Sequence, residues 1–235
     1  MKSSLLIVAT LAFSACALRA EGAAAAFSGC HAGLHGGIGA ESTKWTDEPP
    51  LDVNANIDAN GTGNTADTDF SGGVYGAQAG CDWQVGSALV LGGELAGSVS
   101  TIARTGLDFF NNTWTLRHRI GWFGDASARA GWAVGPVLLY GRAGLALADN
   151  HYKIVNEGTP LGSPNETRIG WMAGGGAEYA LSQRFSVFVE GDYFNMGNRT
   201  VNFPGSATGP GANAPFPARI GQTFETATAG VNYHF

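Results

Sequence analysis

The stretch Gly221–Phe235, with the sequence GQTFETATAGVNYHF, decides how the rest of the chain is interpreted. Toward its end, Val231, Tyr233 and Phe235 alternate with glycine or polar residues, which is the two-residue period of a β-strand with one apolar face. The sequence stops on the apolar side chain of Phe235. Such a strand needs an apolar environment outside it, and the remaining sequence must decide between a lipid bilayer and a soluble β-sandwich.

The composition favours membrane-inserted β-structure over an average soluble domain. Only 14% of the residues are charged, against about 25% in a typical soluble domain. The chain contains 36 glycines, but no apolar run reaches the roughly 18 residues that a membrane-spanning helix requires. With 235 residues, the chain can form one all-β domain whose apolar residues are distributed over one face of many strands.

Residues 1–26 are predicted to be a secretory signal peptide. A lysine at the second position is followed by the apolar stretch Leu5–Ala15, and cleavage is expected at Ala15–Ala17 or within Ala23–Ala26. The residues Phe13–Cys16 also resemble a lipoprotein lipobox, which leaves lipidation as an alternative. Without residues 1–26 the chain keeps 11 basic and 18 acidic side chains and a net charge of −7, so nucleic acid is not an expected partner.

Alternating apolar and polar residues predict eight strands. Their approximate ranges are 29–40, 70–85, 88–101, 121–134, 137–149, 167–181, 184–196 and 222–235. Strands that share one apolar face favour closure, because a barrel leaves no unpaired edge. The predicted fold of residues 27–235 is therefore an all-β, eight-stranded antiparallel up-and-down transmembrane barrel.

The predicted connections alternate in length. Three are tight turns, and the four long ones are 41–69, 102–120, 150–166 and 197–221. Short periplasmic turns and long outer loops are typical of barrels in bacterial outer membranes. None of the nine prolines lies in a predicted strand, where it would remove a ladder hydrogen bond. The third and fourth strands are also expected to continue as a ribbon above the membrane that turns near Asn111.

Several charged residues fall on the predicted inward faces, about four to eight residues above the nearest tight turn, and are expected at one level of the lumen. They are Glu94, Arg129, Arg142, Glu178 and Glu190. Asp192 and Arg168 lie higher and are expected to extend this group. Because an eight-stranded barrel is only wide enough for its own side chains, the favoured interpretation is a paired polar plug. The alternatives are a selectivity ring or acid–base chemistry at Glu178 and Glu190.

Cys30 and Cys81 are predicted to lie opposite each other on the first two strands. Since the periplasm is oxidising, they form either a disulfide or two small apolar contacts with lipid. His31 and His35 share an inward face but lie about 13 Å apart along one strand, too far for one metal ion. The sequence contains no HExxH, GxSxG or P-loop motif. We therefore predict no metal, no cofactor and no catalytic residue.

The first long loop concentrates negative charge. Residues 41–69 contain seven acidic side chains and a single basic one, Lys44. This loop could bind a divalent cation or a host ligand, although its spacing does not fit an EF-hand. The alternative is a solvated loop beside anionic lipopolysaccharide.

Eight short segments carry a family resemblance through their order and spacing. They are Phe27–Gly29, Gly80–Gly86, Leu91–Glu94, Ala128–Trp132, Leu139–Ala146, Gly174–Tyr179, Val189–Tyr193 and Gly230–Phe235. Together they make residues 27–235 resemble the small outer-membrane β-barrel proteins of Gram-negative bacteria, in particular the opacity-protein-like surface antigens, also called porin-family proteins. Cys30, His31 and Cys81 depart from the aromatic residues that are common in the family at these positions.

The resemblance implies a monomer in the bacterial outer membrane, in contact with lipid and lipopolysaccharide. In this family the final strand is the signal for the barrel-assembly machinery, which here corresponds to Val231, Tyr233 and Phe235. The implied role is structural, or an interaction of the long loops with host or envelope ligands. The alternatives are a narrow passive pore for small solutes and, less favoured, an enzyme that modifies lipid.

Overall fold

The computed structural model describes residues 27–47, 65–105, 114–156, 159–162, 165–203 and 216–235. The predicted signal peptide, the lipobox-like segment and the predicted turn near Asn111 lie outside these ranges. No helix among the described residues is long and apolar enough to cross a membrane.

Strands make up nearly all of the described chain. They are β1 (Gly29–Asp47), β2 (Thr65–Val85), β3 (Leu89–Ser100), β4 (Ala103–Thr105), β5 (Trp114–Val134), β6 (Val137–Asn156), β7 (Thr159–Gly162), β8 (Asn165–Ala180), β9 (Phe185–Phe203) and β10 (Phe216–His234). Eight are long, whereas β4 and β7 contain only three and four residues.

The eight long strands close into a barrel. Each pairs antiparallel with the next long strand along the chain, and β1 pairs with β10 from His31↔His234 to Asp47↔Ala218. The short strands β4 and β7 pair with β5 and β6 near the outer rim. This confirms the predicted eight-stranded antiparallel barrel and leaves the long strands without a free edge in the membrane.

The large apolar side chains on the outer face of each long strand are exposed, whereas the charged side chains of the membrane-spanning part lie on the inner face. On β10, Val231 is 50% exposed, whereas its neighbour Asn232 is 2% exposed. Leu34, Leu95 and Leu145 are likewise among the exposed large hydrophobic residues of other strands. This distribution is the inverse of a soluble protein and requires lipid outside the barrel.

Exposed aromatic residues form two belts around the barrel. The belt near the tight turns, which we call the periplasmic belt, contains Trp83, Trp132, Phe185 and Phe235. The opposite belt, which we call the outer belt, contains Tyr75, Trp122 and Trp171 with the partly exposed Tyr193. The two belts are eight to ten residues apart along a strand, or about 20–25 Å at 3.3 Å per residue and a tilt of roughly 40°. This spacing matches the apolar band of an outer-membrane barrel, so the bilayer lies between the belts.

Strand structure extends farther than predicted beyond the outer belt. β1 continues to Asp47, β5 begins at Trp114 and β10 begins at Phe216, so strands occupy the ends of all four predicted loops. Pro160 and Pro217 consequently lie within β7 and β10, not between strands as predicted. Above the bilayer both faces of a strand are polar, so the apolar alternation disappears while the backbone pairing continues.

A disulfide ties the first two strands together near the periplasmic belt. Cys30 lies opposite Cys81 in the β1–β2 register, and their sulfur atoms are bonded. The cross-link joins residues 51 positions apart, and closing a loop of that size contributes roughly 4 kcal/mol in the chain-entropy estimate. The bond also fixes the register in which the lumen side chains of β1 and β2 meet.

Candidate functional site

Three layers fill the lumen above a small apolar cluster of Phe27, Val90 and Leu138 at the periplasmic end, and the lowest of the three is a charge network. The structure brings together the six predicted residues Glu94, Arg129, Arg142, Glu178, Glu190 and Asp192, and it adds Asp82 and Asp125. We call these eight side chains the charge network. They come from β2, β3, β5, β6, β8 and β9, so the network connects most of the barrel wall from inside.

Arg129 on β5 is one of its two centres. The Nη1 atom of Arg129 lies 3.4 Å from Asp82 Oδ2 and 3.8 Å from Glu94 Oε2, and the Nη2 atom donates to Glu178 Oε2. The guanidinium carbon also lies 3.8 Å from the ring centre of Tyr140, a cation–π contact. Arg129 is buried together with these partners, so its removal would leave buried carboxylates without a counter-charge.

Arg142 on β6 is the second centre. Its Nη1 atom donates to Glu94 Oε1 and to Glu190 Oε1, each at 2.7 Å, and its Nη2 atom donates to Asp125. Asp192 Oδ1 approaches the Nε atom at 3.8 Å. Glu94 therefore connects the two arginine centres across the lumen.

Two histidine rings border the carboxyl groups of this layer. His31 Nε2 lies 3.3 Å from Glu94 Oε2, and His234 Nε2 lies 3.4 Å from Glu178 Oε1. Six carboxyl groups share two guanidinium groups here, so each arginine of this layer contacts more than one carboxyl group. The other inward histidine of β1, His35, instead contacts Gln78 and Ser98.

A serine, a histidine and a carboxylate also meet at the periplasmic end of the lumen, which sequence reasoning missed. Ser186 Oγ lies 2.9 Å from His234 Nε2, and Glu178 Oε1 approaches the same nitrogen. In a catalytic triad the carboxylate holds the opposite ring nitrogen, which leaves Nε2 for the serine. Ser186 is also only 1% exposed, so the arrangement serves packing and charge pairing rather than nucleophilic attack.

Glycines of β8 make room for this layer. A Cβ atom on Gly174 would lie 2.0 Å from Asp192 Oδ1, and a Cβ on Gly176 would lie 2.8 Å from the Tyr140 hydroxyl. At Gly176 the space is taken by the Tyr140 ring. At Gly174 the space is taken by a carboxylate of the charge network.

An aromatic layer lies above the charge network. Phe194 and Phe224 stack with ring centres 4.5 Å apart, and Phe123 meets both rings edge-on at 5.3 and 5.1 Å. Ile102, Ile120 and other buried apolar residues pack around these rings. Between this layer and the charge network lies a cavity of about 20 Å³, room for roughly one water molecule.

A second polar layer fills the lumen above the aromatic rings. It consists of Glu41, Thr43, His118, Asn150, Tyr152, Arg168 and Gln222, all of them buried, and we call it the upper polar layer. Arg168 was predicted to extend the charge network and does not. Its Nη1 atom donates to the Ile220 carbonyl, and its Nε atom contacts Glu166. The aromatic layer separates it from Arg142.

Hydrogen bonds connect four strands across the upper polar layer. Gln222 on β10 donates from Nε2 to Glu41 Oε1 and to Asn150 Oδ1, each at 2.7 Å. His118 Nε2 lies 3.1 Å from the same Asn150 oxygen, and the His118 ring stacks on Tyr152 at 4.5 Å. The layer therefore closes the outer end of the barrel.

Glu41 and His118 face each other within this layer, with Glu41 Oε2 3.4 Å from His118 Nδ1. His118 lies four residues beyond Trp122 of the outer belt, or about 10 Å above it, and Glu41 lies at a similar height outside the membrane-spanning segments. Burial raises the pKa of Glu41 from 4.5 to about 7, although hydrogen bonds from Gln222 and Thr43 oppose this. Burial lowers the pKa of His118 from 6.5 to about 4. Both groups are therefore neutral in mildly acidic solution.

Among the residues that the structure describes, no group of three or more His, Cys, Asp and Glu side chains has the arrangement of a metal site. The candidate site is therefore the filled lumen itself. Sequence reasoning placed six members of the charge network on inward faces, where the structure has them, and did not include Asp82 and Asp125. It missed the upper polar layer, since most members of that layer fell in predicted loops.

Comparisons with known proteins agree with this architecture. A model of the family described as "Outer membrane protein beta-barrel domain" matches residues 5–235. The 31 kDa outer-membrane immunogenic protein of Brucella melitensis biotype 1 is 30% identical over 181 residues, which cover 72% of this chain and 69% of that protein. The 22 kDa outer membrane protein of Rhizobium leguminosarum bv. viciae is 29% identical over 124 residues, which cover 53% and 51% of the two chains.

Among solved structures, the outer membrane protein OprG of Pseudomonas aeruginosa has a TM-score of 0.51 with this barrel. The two chains are 12% identical, and the match covers 88% of this chain and 96% of OprG. At this identity the likeness concerns the fold alone.

Replacement of Arg129 by alanine is expected to destabilise the barrel by about 3–5 kcal/mol, because it leaves buried carboxylates unpaired. Urea unfolding of the refolded protein in detergent measures the effect. Arg184→Ala, at an exposed position in a periplasmic turn, is the control and should change stability by less than about 0.5 kcal/mol. Glu178→Gln in the Arg129→Ala background should restore part of the loss. An unchanged unfolding midpoint for Arg129→Ala would refute the plug interpretation.

Replacement of Glu41 by glutamine is expected to stabilise the barrel increasingly as the pH rises. The folded-state pKa of Glu41 is raised, so its contribution to stability is complete below about pH 4.5 and is lost as the pH passes through about 7. The amide oxygen of the new glutamine would keep an acceptor for Thr43 and Gln222 without a buried charge. Between pH 5 and pH 8 the stability difference in favour of the variant should grow by up to about 3 kcal/mol.

The pH dependence of the stability contribution of His118 is opposite to that of Glu41. Its lowered pKa means that its contribution is present above about pH 6.5 and is lost as the pH falls toward 4, so the variant must be compared with wild type at each pH. Glu225→Gln, at an exposed carboxyl on β10, is the matched control and should change stability by less than about 0.5 kcal/mol. A pH-independent difference for Glu41→Gln would contradict the assignment.

Proposed function

Because the chain belongs to the outer-membrane protein β-barrel family, we propose that this bacterial outer-membrane protein is a closed barrel with a structural or surface-interaction role made through its outer rim. The observation that carries the proposal is the filled lumen. The charge network, the stacked Phe123, Phe194 and Phe224 rings and the upper polar layer lie in series along the barrel axis. A solute would have to displace all three layers to cross.

The outer rim is the part of the molecule left for interactions. Strands β1, β5 and β10 continue above the outer aromatic belt and form this rim. The Brucella relative is named an immunogenic protein, and the rim is the part of this barrel that an antibody could reach from outside. We assign to the rim the contacts with host or envelope ligands, on a monomeric barrel preceded by a signal peptide at residues 1–26.

An enzymatic role is not part of this proposal. The Ser186, His234 and Glu178 side chains lie at the periplasmic end of the lumen, buried and without triad geometry. The curated relatives that match are described as outer-membrane proteins, which supports the same view.

We assign recognition by the barrel-assembly machinery to the outward face of the final strand, formed by Val231, Tyr233 and Phe235. Phe235 is 78% exposed to the lipid side, and its contact with another ring is the edge-on one with Tyr233, with ring centres 5.3 Å apart. The Phe235 side chain thus makes few contacts within the folded barrel and is available to a partner during assembly.

Replacement of Phe235 by alanine is expected to lower the amount of folded protein in the outer membrane several-fold, while refolding into detergent stays at the wild-type level. Heat-modifiable migration on gels measures the folded fraction in both cases. Phe185→Ala is the matched control, because Phe185 lies in the same belt and also meets Tyr233 edge-on, at 5.2 Å. Equal losses for both variants in cells would assign the effect to the belt rather than to a terminal signal.

Planar-bilayer recordings of the refolded protein are expected to show no unitary current steps. Phe123→Ala/Phe194→Ala/Phe224→Ala should stay silent, because the charge network still fills the lumen below. Adding Arg129→Ala and Arg142→Ala should open the barrel or make it collapse. Phe185→Ala removes a ring from the lipid side and should behave as wild type. Stable steps from wild type would replace the proposal with the narrow-pore alternative.

A further inference from the structure

A cluster of basic side chains lies on the outer wall of the barrel, on β5 and β6 just above the outer aromatic belt. It consists of Arg117, Arg119, His151 and Lys153, and we call it the basic patch. None of these residues takes part in the three lumen layers. The chain carries a net charge of −6, so a concentration of positive charge on one wall is a local exception.

The strand register brings the four side chains together. Arg117 is paired with Lys153, and Arg119 is paired with His151. The two pairs are two residues apart along the strands and therefore lie on the same outward face. Paired residues have Cβ atoms roughly 5 Å apart, so all four head groups can converge on one ligand. Arg117, Arg119 and Lys153 are exposed, whereas His151 approaches Asp149 at 3.0 Å. Among the described residues, no carboxylate pairs with the two arginines or the lysine.

A β-bulge decides that these residues face outward. The β5–β6 register shifts between Ile120 and Trp122, so Gly121 is the extra residue. Without the shift, the alternation that directs Arg129 inward would also direct Arg119 and Arg117 into the lumen. A Cβ atom at position 121 would lie 3.0 Å from the His151 ring, so glycine also allows that ring its place.

The height of the basic patch matches a lipid headgroup. Trp122 of the outer belt is 44% exposed on the same wall, and below it Leu145 and Leu147 face the apolar part of the bilayer. Arg119 lies three residues beyond Trp122, about 8 Å higher, and Arg117 lies about 13 Å higher. Basic side chains just outside an aromatic belt lie where phosphate groups of lipids are found.

Other sectors of the wall do not repeat this pattern at comparable height. On β1, β2 and β3 the exposed residues there include Ser42, Ser71 and Thr101, which are uncharged. On β9 and β10 the exposed residues include Arg199 and Arg219, but the Glu166 carboxylate lies 3.1 Å from Arg199. An anionic ligand would therefore be attracted more strongly to the β5–β6 wall, with its four basic side chains, than to these sectors.

We propose that the basic patch binds the phosphate groups of lipid A, the membrane anchor of lipopolysaccharide, in the outer leaflet. The inference rests on the proposed role at the outer-membrane surface and adds a ligand and a site to it. Arginine can hold a phosphate through two parallel hydrogen bonds, and Lys153 adds a third positive charge. The patch lies on the wall, continuous with the lipid-facing surface, which favours a lipid over a soluble polyanion.

The test is the affinity of the refolded protein, in neutral detergent micelles, for bisphosphorylated lipid A and for the same lipid with both phosphates removed. Wild type should bind the phosphorylated form at least tenfold more tightly, and this preference should weaken as salt is raised. Arg117→Gln/Arg119→Gln should lose the preference, whereas Arg117→Lys/Arg119→Lys should keep most of it. Heat-modifiable migration verifies that each variant is folded.

Arg199→Gln/Arg219→Gln is the matched control, because it removes the same charge from exposed residues of β9 and β10 on another part of the outer rim. It should keep the wild-type preference within about threefold. Equal losses in both double variants, no preference in wild type, or tighter binding of a soluble sulfated polysaccharide at the same arginines would each overturn the proposal. The planar-bilayer recordings test the closed barrel, and the lipid A affinity tests the basic patch. The failure of one proposal can therefore be distinguished from the failure of the other.

Discussion

The bilayer offers backbone N–H and C=O groups no hydrogen-bonding partner, and this constraint organises the whole molecule. Every long strand must pair on both sides, so the last strand has to return to the first, and β10 pairs with β1 along 17 residues. Closure with eight strands then leaves a lumen too narrow for bulk water and wide enough for side chains. What fills that lumen follows from the need to satisfy polar groups away from solvent.

The layered filling solves this problem in two different ways. Toward the periplasm, Arg129 and Arg142 each meet several carboxyl groups, so both buried guanidinium groups have partners of opposite charge. Above the aromatic rings, Glu41 and His118 avoid charge instead, because burial shifts both pKa values toward the neutral forms. The stacked rings between the two layers keep them electrically and sterically separate. This arrangement explains how a barrel with many inward polar residues satisfies them away from solvent.

The outer wall follows a different logic from the lumen. Between the aromatic belts the wall is apolar and nearly uniform, as the hydrocarbon requires. Above the outer belt the environment is no longer uniform, and exposed residues such as Arg117 on β5 and Ser42 on β1 differ from one side of the barrel to the other. The contacts that we propose for this protein lie in that zone.

The alternation in Gly221–Phe235 and seven other segments determined the fold, because a two-residue period with an apolar outer face has few solutions other than a closed barrel in lipid. The same alternation placed Glu94, Arg129, Arg142, Glu178, Glu190 and Asp192 inward, since their strands keep an uninterrupted period between the belts. The alternation did not predict the structure above the outer belt, because both strand faces are polar there and the strands continue into the predicted loops. There the bulge at Gly121 reverses the parity of β5, so that His118 enters the upper polar layer and Arg117 and Arg119 face outward. Whether an extra residue is accommodated as a bulge depends on the register between two strands, and only the tertiary structure decides that.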